Sequence, residues 1–336
     1  MSKRVGAATI LMENKISVTS FSAVGGKKEG EGPMRYCFDY IDSDDRFGQN
    51  SFEEAESAMQ GIAMQNMLEK REIEPGELSM MFGGDLLNQC IGTSFGVFDF
   101  RVPYIGIYGA CSTMSEGLML AAMSVDSGAG DRVAAITSSH FCTAERQYRM
   151  PLDYGGQRTP TSQWTATASG ALLVERGQKP PYVRAVTVGR MEDKGIKDAN
   201  NMGAAMAPAA YSTIKRFFED TGTEPGQFDR IVTGDLGSVG SRILCELLHR
   251  DGIEIYDRHL DCGRMIYSEE QDVHAGGSGC GCAASMLCGY FLPQIRDGSL
   301  KNILFAATGA LLSPTSTMQG KSIPGISHLV WISGES

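Results

Sequence analysis

The sequence predicts an α/β fold built from two similar halves, and two observations lead to this prediction. Short apolar runs that are typical of buried strands alternate with helix-like segments along the whole chain, which favours largely parallel strands joined by helices. A motif also recurs 150 residues further on, because residues 74–86 read EPGELSMMFGGDL and residues 224–236 read EPGQFDRIVTGDL. We therefore expect a duplicated α/β unit.

The segments around the shared motif repeat as well. In the first half, Ser51 and Glu54 form a capping box that begins a helix, and apolar residues continue at helical spacing to Leu68. The counterpart helix in the second half is predicted to follow Pro208 and to reach Phe218. Further along the first half, a helix is predicted over residues 111–125 and a strand over 133–139. In the second half, the corresponding helix is predicted over 281–295 and the strand over 303–308.

The boundary between the halves is expected near residues 176–190, where Arg-Gly-Gln-Lys-Pro-Pro reads as a turn-rich link. The predicted units are therefore residues 1–180, the N-terminal half, and residues 181–336, the C-terminal half. We do not expect either half to fold independently, because the helices of the two halves are predicted to pack against each other in the middle.

Composition and charge exclude several classes of function. The 336 residues carry 30 basic and 40 acidic side chains, a net charge of -10, whereas nucleic-acid binding usually needs a clustered basic surface. We find no apolar stretch near the roughly 18 residues that a membrane span requires. The first residues also lack the apolar core of a signal peptide, so any membrane association is expected to be peripheral.

The nine cysteines favour reduced thiols, because the count is odd and no secretory signal is recognised. The closest group is Cys280, Cys282 and Cys288. It lacks the paired Cys-x-x-Cys spacing and the nearby histidines of a zinc site, so small buried thiols are the preferred interpretation. We predict no metal and no cofactor.

Cys111 is the first candidate site residue. The sequence from Tyr104 to Met119 reads as a strand, a sharp turn and a helix, and Cys111 lies at the turn. Amide groups at a helix start favour a thiolate and can lower its pKa. The same amides could instead hold a ligand carboxylate, and a structural cysteine in a tight turn is equally compatible with the residues.

The chain resembles the thiolase-like family, which includes thiolases and ketoacyl-carrier-protein synthases. Gly-Ala-Cys111-Ser is similar to the nucleophile turn of that family. Other similar segments are 164–174, the strand pair that closes the first half; 201–208, the start of the second half; and 279–285 and 305–309, the later catalytic loops. The resemblance covers nearly the whole chain and implies two βαβαβ-type halves in a layered α/β/α/β/α architecture.

The resemblance also implies partners for the cysteine that this sequence lacks. Family members that condense or cleave thioesters need a base, together with histidine or asparagine donors that polarise the carbonyl. After the second-half strand the chain reads Val-Thr-Gly-Asp235-Leu, where a histidine is expected. The next loop reads Gly-Ser278-Gly-Cys280, where Gly-His or Gly-Asn is expected. We therefore predict a binding protein rather than an enzyme.

Further candidates follow the two predicted loops. His140 and Ser139 end the strand after the Cys111 helix, and His274 lies shortly before the altered loop. Arg146, Arg149 and Arg158 could supply charge-assisted hydrogen bonds to an anion, although a solvated loop explains them as well. The predicted ligand-binding residues are Cys111, Ser139, His140, Arg146, Asp235, His274, Ser278 and Cys280.

Three motifs resemble a narrower family, the stage V sporulation AD proteins of spore-forming bacteria. These motifs are Gly-Ala-Cys-Ser, Gly-Asp-Leu-Gly and His-Ala-Gly-Gly-Ser-Gly-Cys-Gly-Cys. The resemblance implies binding of dipicolinic acid (pyridine-2,6-dicarboxylate), alone or with calcium, for its uptake into the developing spore and its release in germination. It also implies other stage V A proteins as partners and a peripheral place at the inner membrane of the forespore and spore.

Two alternatives remain open from the sequence. One is an acyl-transferring or condensing enzyme that uses Cys111, with His274 or His140 in place of the expected bases. The other is a scaffold whose pocket has lost its function and whose surface recruits membrane partners. By resemblance, a homodimer formed through the first half is expected in each case.

Overall fold

The computed structural model describes residues 3–148 and 158–335. The strands in these ranges are β1 (Lys3–Val5), β2 (Thr9–Gly25), β3 (Tyr40–Ile41), β4 (Met80–Gly84), β5 (Tyr104–Gly106), β6 (Arg132–Ser139), β7 (Trp164–Thr165), β8 (Ala168–Arg176), β9 (Tyr182–Thr187), β10 (Arg230–Thr233), β11 (His259–Asp261), β12 (Gly277–Ser278), β13 (Asn302–Ala310) and β14 (Gly325–Ser333).

The helices are α1 (Lys27–Gly30), α2 (Phe52–Arg71), α3 (Ile91–Gly96), α4 (Thr113–Ser127), α5 (Phe141–Tyr148), α6 (Met202–Thr221), α7 (Gly237–Arg250), α8 (Cys262–Met265), α9 (Cys280–Met286), α10 (Leu292–Asp297) and α11 (Pro314–Met318). A π-helical segment, Leu287–Phe291, joins α9 to α10.

The strands form one long mixed sheet in the order β11-β10-β13-β14-β9-β2-β8-β6-β4-β5, with β1 and β3 paired to β2. Neighbours are parallel near the two ends and antiparallel from β13 through to β6. The sequence predicts a largely parallel sheet, and this prediction is wrong for the middle strands. Only the five-residue α11 lies between β13 and β14, so the chain returns antiparallel instead of crossing over.

Two helices occupy the middle of the fold. Helix α4 packs on β6 and β8 on one side and on β13 and β14 on the other, and α9 packs on β6, β8 and β2. Helix α2 covers the outer face of β2 and β8, while α6 covers β13 and β14. The predicted layered α/β/α/β/α architecture is confirmed, and α4 and α9 bring the starts of two helices to the centre.

The repeated motif folds the same way twice. Pro75–Glu77 and Pro225–Gln227 are single helical turns, and in each the residue before the proline donates its N–H to a side-chain oxygen three residues later, at 3.0 Å. Strands β4 and β10 follow these turns. The division of the chain at residue 180 stays a prediction, since the sheet runs continuously through both halves.

The predicted start of α2 is confirmed, because Glu54 N–H donates to Ser51 Oγ at 3.2 Å and Ser51 N–H donates to Glu54 Oε2 at 3.1 Å. The predicted start of α6 after Pro208 is wrong. The helix begins at Met202, where the Asn201 side chain accepts from Ala204 N–H at 3.4 Å, and Pro208 lies inside the helix. In the described part of the chain, no helix combines the length and the apolar character that crossing a membrane requires.

Candidate functional site

The turn before α4 places Cys111 at the centre of the molecule. Ala110 has a φ of 51°, a left-handed conformation that is uncommon for a residue other than glycine. Two hydroxyls hold this turn, because Ser112 Oγ donates to Gly109 O at 2.7 Å and Thr113 Oγ1 donates to Ala110 O at 2.6 Å. Cys111 is 5% exposed as a result.

Asp235 follows β10 and collects hydrogen bonds from several elements. Its Oδ2 accepts from Gly279 N–H at 2.9 Å and from Ser278 Oγ at 3.2 Å, and its Oδ1 accepts from Thr308 Oγ1 at 3.0 Å. The Cys111 thiol also bonds to this carboxyl. Burial raises the pKa of Asp235 to about 6, although the hydrogen bonds act in the opposite direction.

The thiol of Cys111 is neutral in this environment. Complete burial raises its pKa well above the usual value, and the carboxylate of Asp235 and the thiol of Cys280 raise it further. The amides of the turn do not offset this effect, since Ser112 N–H and Thr113 N–H are bonded within the turn, to Gly109 O and Ala110 O. Of the alternatives that the sequence leaves open for Cys111, this environment favours a neutral thiol over a thiolate stabilised by the helix start.

Cys280 and Ser139 support the wall behind Cys111. The Cys280 thiol donates to Ser138 O at 2.9 Å and packs with Cys111 in a small buried cluster. Ser139 Oγ donates to Ala166 O at 2.7 Å and accepts from Gly281 N–H at 3.1 Å. Ser139 thus fixes α9 against the end of β6 and does not face the cavity.

A small cavity lies in front of Cys111, with room of about 30 Å³, enough for one or two waters. Among the described residues, one carboxylate lines it and no lysine, arginine or histidine does. Its walls are Leu86, Tyr108, Ala110, Cys111, Ala144, Glu145, Tyr148, Thr165, Met202, Ser278, Ala310 and Leu312.

Polar groups that the sequence reasoning missed form much of this wall. The hydroxyls of Tyr108 and Tyr148 are 2.8 Å apart, and the Tyr148 hydroxyl donates to Leu86 O. Thr165 Oγ1 donates to Glu145 Oε1 at 3.0 Å. The position of Tyr108, three residues before Cys111, was a usable signal. No sequence signal indicated Glu145 and Tyr148, because only the tertiary fold brings α5 to the cavity.

His140 makes hydrogen bonds that tie β6 to the Asp45 loop, and it does not line the cavity in front of Cys111. Its Nδ1 accepts from Cys142 N–H at 3.2 Å, so the proton is on Nε2, which donates to Asp45 O at 2.7 Å. Burial lowers its pKa. Both ring nitrogens are therefore bonded, and the ring lies outside the cavity wall.

The remaining predicted residues also lie away from the cavity. His274 has a φ of 56°, and its Nε2 is 3.9 Å from the carboxylate of Asp272. Arg146 is more than half exposed and pairs with Glu53. Arg158 stacks on the Trp164 ring, at 4.9 Å from its centroid. Arg149 lies outside the described residues.

Four of the eight predicted residues, Cys111, Asp235, Ser278 and Cys280, therefore meet at one place. The groups that act on the Cys111 thiol are the Asp235 carboxyl, the Cys280 thiol and the Gly279 N–H. Contact of these four residues with a ligand stays a prediction.

Comparison with known proteins gives a family match over nearly the whole chain. The family model described as Stage V sporulation protein AD (SpoVAD) matches residues 6–333. The Stage V sporulation protein AD of Bacillus subtilis (strain 168) is 40% identical over 326 residues, which are 97% of this chain and 96% of that protein.

Solved structures show the same fold at low identity. The 3-oxoacyl-[acyl-carrier-protein] synthase III of Aquifex aeolicus has a TM-score of 0.57 and 13% identity, covering 95% of this chain and 99% of that chain. A histidine-to-asparagine variant of OleA from Xanthomonas campestris has a TM-score of 0.61 and 12% identity, covering 96% and 99%. At this level of identity the likeness establishes the fold alone.

Proposed function

Since this chain belongs to the stage V sporulation protein AD family, we propose that it binds dipicolinic acid without catalysis, for its uptake into the developing spore and its release in germination. The observation that carries the non-catalytic part is the Cys111 thiol, which is buried and held neutral against Asp235. Such a thiol is a poor nucleophile, because the thiolate is the reactive form. The identity of the ligand rests on the family.

The cavity in front of Cys111 is the proposed binding site. Its hydroxyl groups, on Tyr108, Tyr148, Thr165 and Ser278, can donate to the carboxylates of a small planar ligand once they turn away from their present acceptors, which include Leu86 O, Glu145 and Asp235. The present volume of about 30 Å³ is too small for a pyridine ring with two carboxylates. Binding therefore requires the walls to separate.

The charge around the cavity bears on the form in which the ligand binds. Glu145 lines the cavity and Asp235 lies behind it, while the described lining residues include no cation. A bare dianion would be repelled by these carboxylates. The calcium chelate, in which the metal neutralises the ligand, avoids this repulsion, and so does uptake of a proton by the protein.

We test the proposal by calorimetric titration with dipicolinic acid, with and without calcium, using isophthalate as the control ligand. We expect saturable one-to-one binding that isophthalate does not reproduce. Replacing Ser278 by alanine removes a wall hydroxyl and should weaken binding by about fivefold, the effect of losing one hydrogen bond.

Ser241→Ala is the matched control, because Ser241 is equally buried, at 2% exposure, but lies in α7 away from the cavity. This variant should bind like the wild type. Absence of heat, confirmed by equilibrium dialysis, would reject the ligand. Equal weakening in both variants would reject the site.

The main alternative is acyl transfer through Cys111, favoured by the position of this cysteine at the start of a central helix and by the synthase named among the structural neighbours. Incubation with acyl-coenzyme A followed by mass spectrometry separates the two proposals. We expect no acyl adduct on Cys111. An adduct that passes its acyl group to an acceptor would establish the alternative.

A peripheral place at the spore inner membrane, with other stage V A proteins as partners, is proposed from family membership alone. The test is coexpression: the chain should sediment with membranes when those proteins are present and stay in the supernatant when they are absent. A distribution that does not depend on them would reject these partners.

A homodimer through the first half is also proposed. Strand β5 is an edge strand of the long sheet, and five of the eleven exposed large apolar side chains in the described part of the chain lie within residues 91–108 beside it. A second copy paired at this edge would cover them. Sedimentation equilibrium should give twice the chain mass, and a monomer at micromolar concentration would reject the dimer. The five exposed apolar side chains beside β5 that the dimer would cover are Ile91, Phe95, Phe98, Ile105 and Tyr108.

A further inference from the structure

We propose that Asp235 takes up a proton when the anionic ligand enters the cavity, so that ligand binding is coupled to proton uptake. This inference rests on the proposed function and concerns the regulation of the same site. It starts from the position of Asp235, which is fully buried and bonded to two of the groups that face the cavity, Cys111 and Ser278.

No positive charge compensates the Asp235 carboxylate among the described groups that act on it. The thiol of Cys111 comes from the turn before α4, and the thiols of Cys280 and Cys282 come from α9. The titratable groups of Asp261 and Cys262 lie beyond β10, at the junction of β11 and α8. These groups are neutral or negative, so a second negative charge in the cavity is not offset.

The hydrogen bonds of Asp235 connect its charge to the cavity wall. While it is ionised, it accepts from Ser278 Oγ at 3.2 Å and from the Cys111 thiol. A proton on Asp235 weakens it as an acceptor, and the hydroxyl and the thiol can then turn to a ligand carboxylate. The Ser278 contact is long for a bond between two oxygens, so its exchange costs little.

The titration of Asp235 lies in the right range for this coupling. Burial raises its pKa to about 6, so the free protein at pH 7.5 has it mostly ionised. A nearby negative ligand raises the pKa of a carboxyl further. Binding at pH 7.5 therefore transfers a proton from solvent to Asp235. No other covalent bond is formed or broken.

Three other buried carboxyls could take the proton instead. Asp261 accepts from Thr233 Oγ1 at 2.6 Å and from Gly237 N–H at 3.0 Å, and it contacts neither Cys111 nor Ser278. Glu145 lines the cavity and accepts from Thr165 Oγ1, which is itself a wall residue. Glu29 accepts from Thr167 N–H at 3.0 Å and does not line the cavity. None of these carboxyls is hydrogen-bonded to both Cys111 and Ser278. We therefore assign the proton to Asp235.

The test is titration of the wild-type protein with dipicolinic acid at pH 7.5, in calcium-free buffers that differ in ionisation enthalpy. We expect the apparent heat to depend on the buffer, with nearly one proton taken up per ligand. The affinity should fall by up to about tenfold for each pH unit above 6, the limit for one coupled proton. The wild-type measurement needs no variant to fold.

Three variants locate the proton. Asp235→Asn should remove the uptake and flatten the pH dependence, whereas Glu29→Gln, the matched change at a buried carboxyl outside the site, should keep both. Wild-type binding without any buffer dependence would overturn the inference and leave the proposed function intact. Loss of uptake in Glu145→Gln but not in Asp235→Asn would overturn the assignment. No binding at all would reject the proposed function, and this inference with it.

Discussion

Cys111 stands at the start of a helix, where amide groups and the helix dipole stabilise a thiolate. In this protein the adjacent amides donate to carbonyls of the turn, while the Asp235 carboxyl raises the pKa of the sulfur and the Gly279 N–H lowers it. Desolvation of a charged thiolate in such a place outweighs the effects of the helix start and of the Gly279 N–H. At the residue scale, the surroundings of Cys111 and not its position decide its chemistry.

This account predicts that Cys111 is unreactive in the folded protein. Iodoacetamide at pH 8 should modify Cys142 first, because Cys142 is the one cysteine that is not buried. Cys111 should react at least about tenfold more slowly, and fully only after unfolding. Peptide mapping by mass spectrometry measures both rates in one sample. Cys111 reacting as fast as Cys142 would contradict a buried, neutral thiol.

The sequence located part of the site because its motifs stand at predicted strand and helix ends. Cys111, Asp235, Ser278 and Cys280 were found in this way, and the fold brings them together. His140 and Arg146 were also selected by residue type, but their partners, Asp45 and Glu53, cannot be recognised from sequence spacing. The residues that line or support the cavity differ from the others in their tertiary contacts, which cannot be read from the sequence.

At the scale of elements, the site depends on how closely α9 approaches the sheet. A Cβ added at Gly170 on β8 would lie 2.6 Å from Ala284 O of α9, and one at Gly281 would lie 2.1 Å from Ala168 O. Backbone atoms cannot yield locally at such distances, so α9 would have to move away from β8. Cys280, at the start of α9, would move with it.

Gly170→Ala should therefore destabilise the protein by roughly 2–3 kcal/mol, the usual effect of overpacking a core. Gly76→Ala is the control, because its added methyl meets nothing within 4 Å. Urea unfolding followed by circular dichroism gives the two free energies of unfolding. Equal stability of the two variants would show that α9 is not packed against β8 in this way.

Prediction from sequence was best for elements with local signals. The capping box of Ser51 and Glu54 and the repeated Glu-Pro-Gly turns were found where they were predicted. The start of α6 was missed because Pro208 reads as a helix start, although the Asn201 cap and the alanine-rich run begin the helix earlier. The antiparallel pairing of β13 with β14 was not predicted, because the order of strands in a sheet has no local signal in the sequence.

For the whole molecule, the main electrostatic feature among the described residues is a set of buried carboxyls whose pKa values are raised by desolvation. Burial raises the pKa of Asp235 to about 6, of Glu29 and Asp261 to about 7, and of Glu56 to about 8. A carboxyl whose pKa is higher in the folded than in the unfolded state favours folding at low pH, and this contribution is lost as pH rises through the folded pKa.

These carboxyls should therefore lower the free energy of unfolding as pH rises from 5 to 9, whereas His259 and His328, whose pKa burial lowers to about 4, should raise it up to about pH 6.5. Glu29 alone, with a pKa raised from 4.5 to about 7, accounts for about 3 kcal/mol of this decrease. Glu29→Gln should flatten the profile by about that amount, while the exposed Glu31→Gln should leave it unchanged. Urea unfolding at each pH measures the profile. Stability that rises toward pH 9 would contradict the raised pKa values.

We propose that dipicolinic acid occupies the cavity in front of Cys111, and a crystal structure of the complex would show where the ligand lies. We expect ligand density between Tyr108, Cys111, Tyr148 and Ser278, with the cavity walls moved apart and no covalent bond to sulfur. Ordered ligand elsewhere on the chain, with this cavity closed and unchanged, would rule out this site.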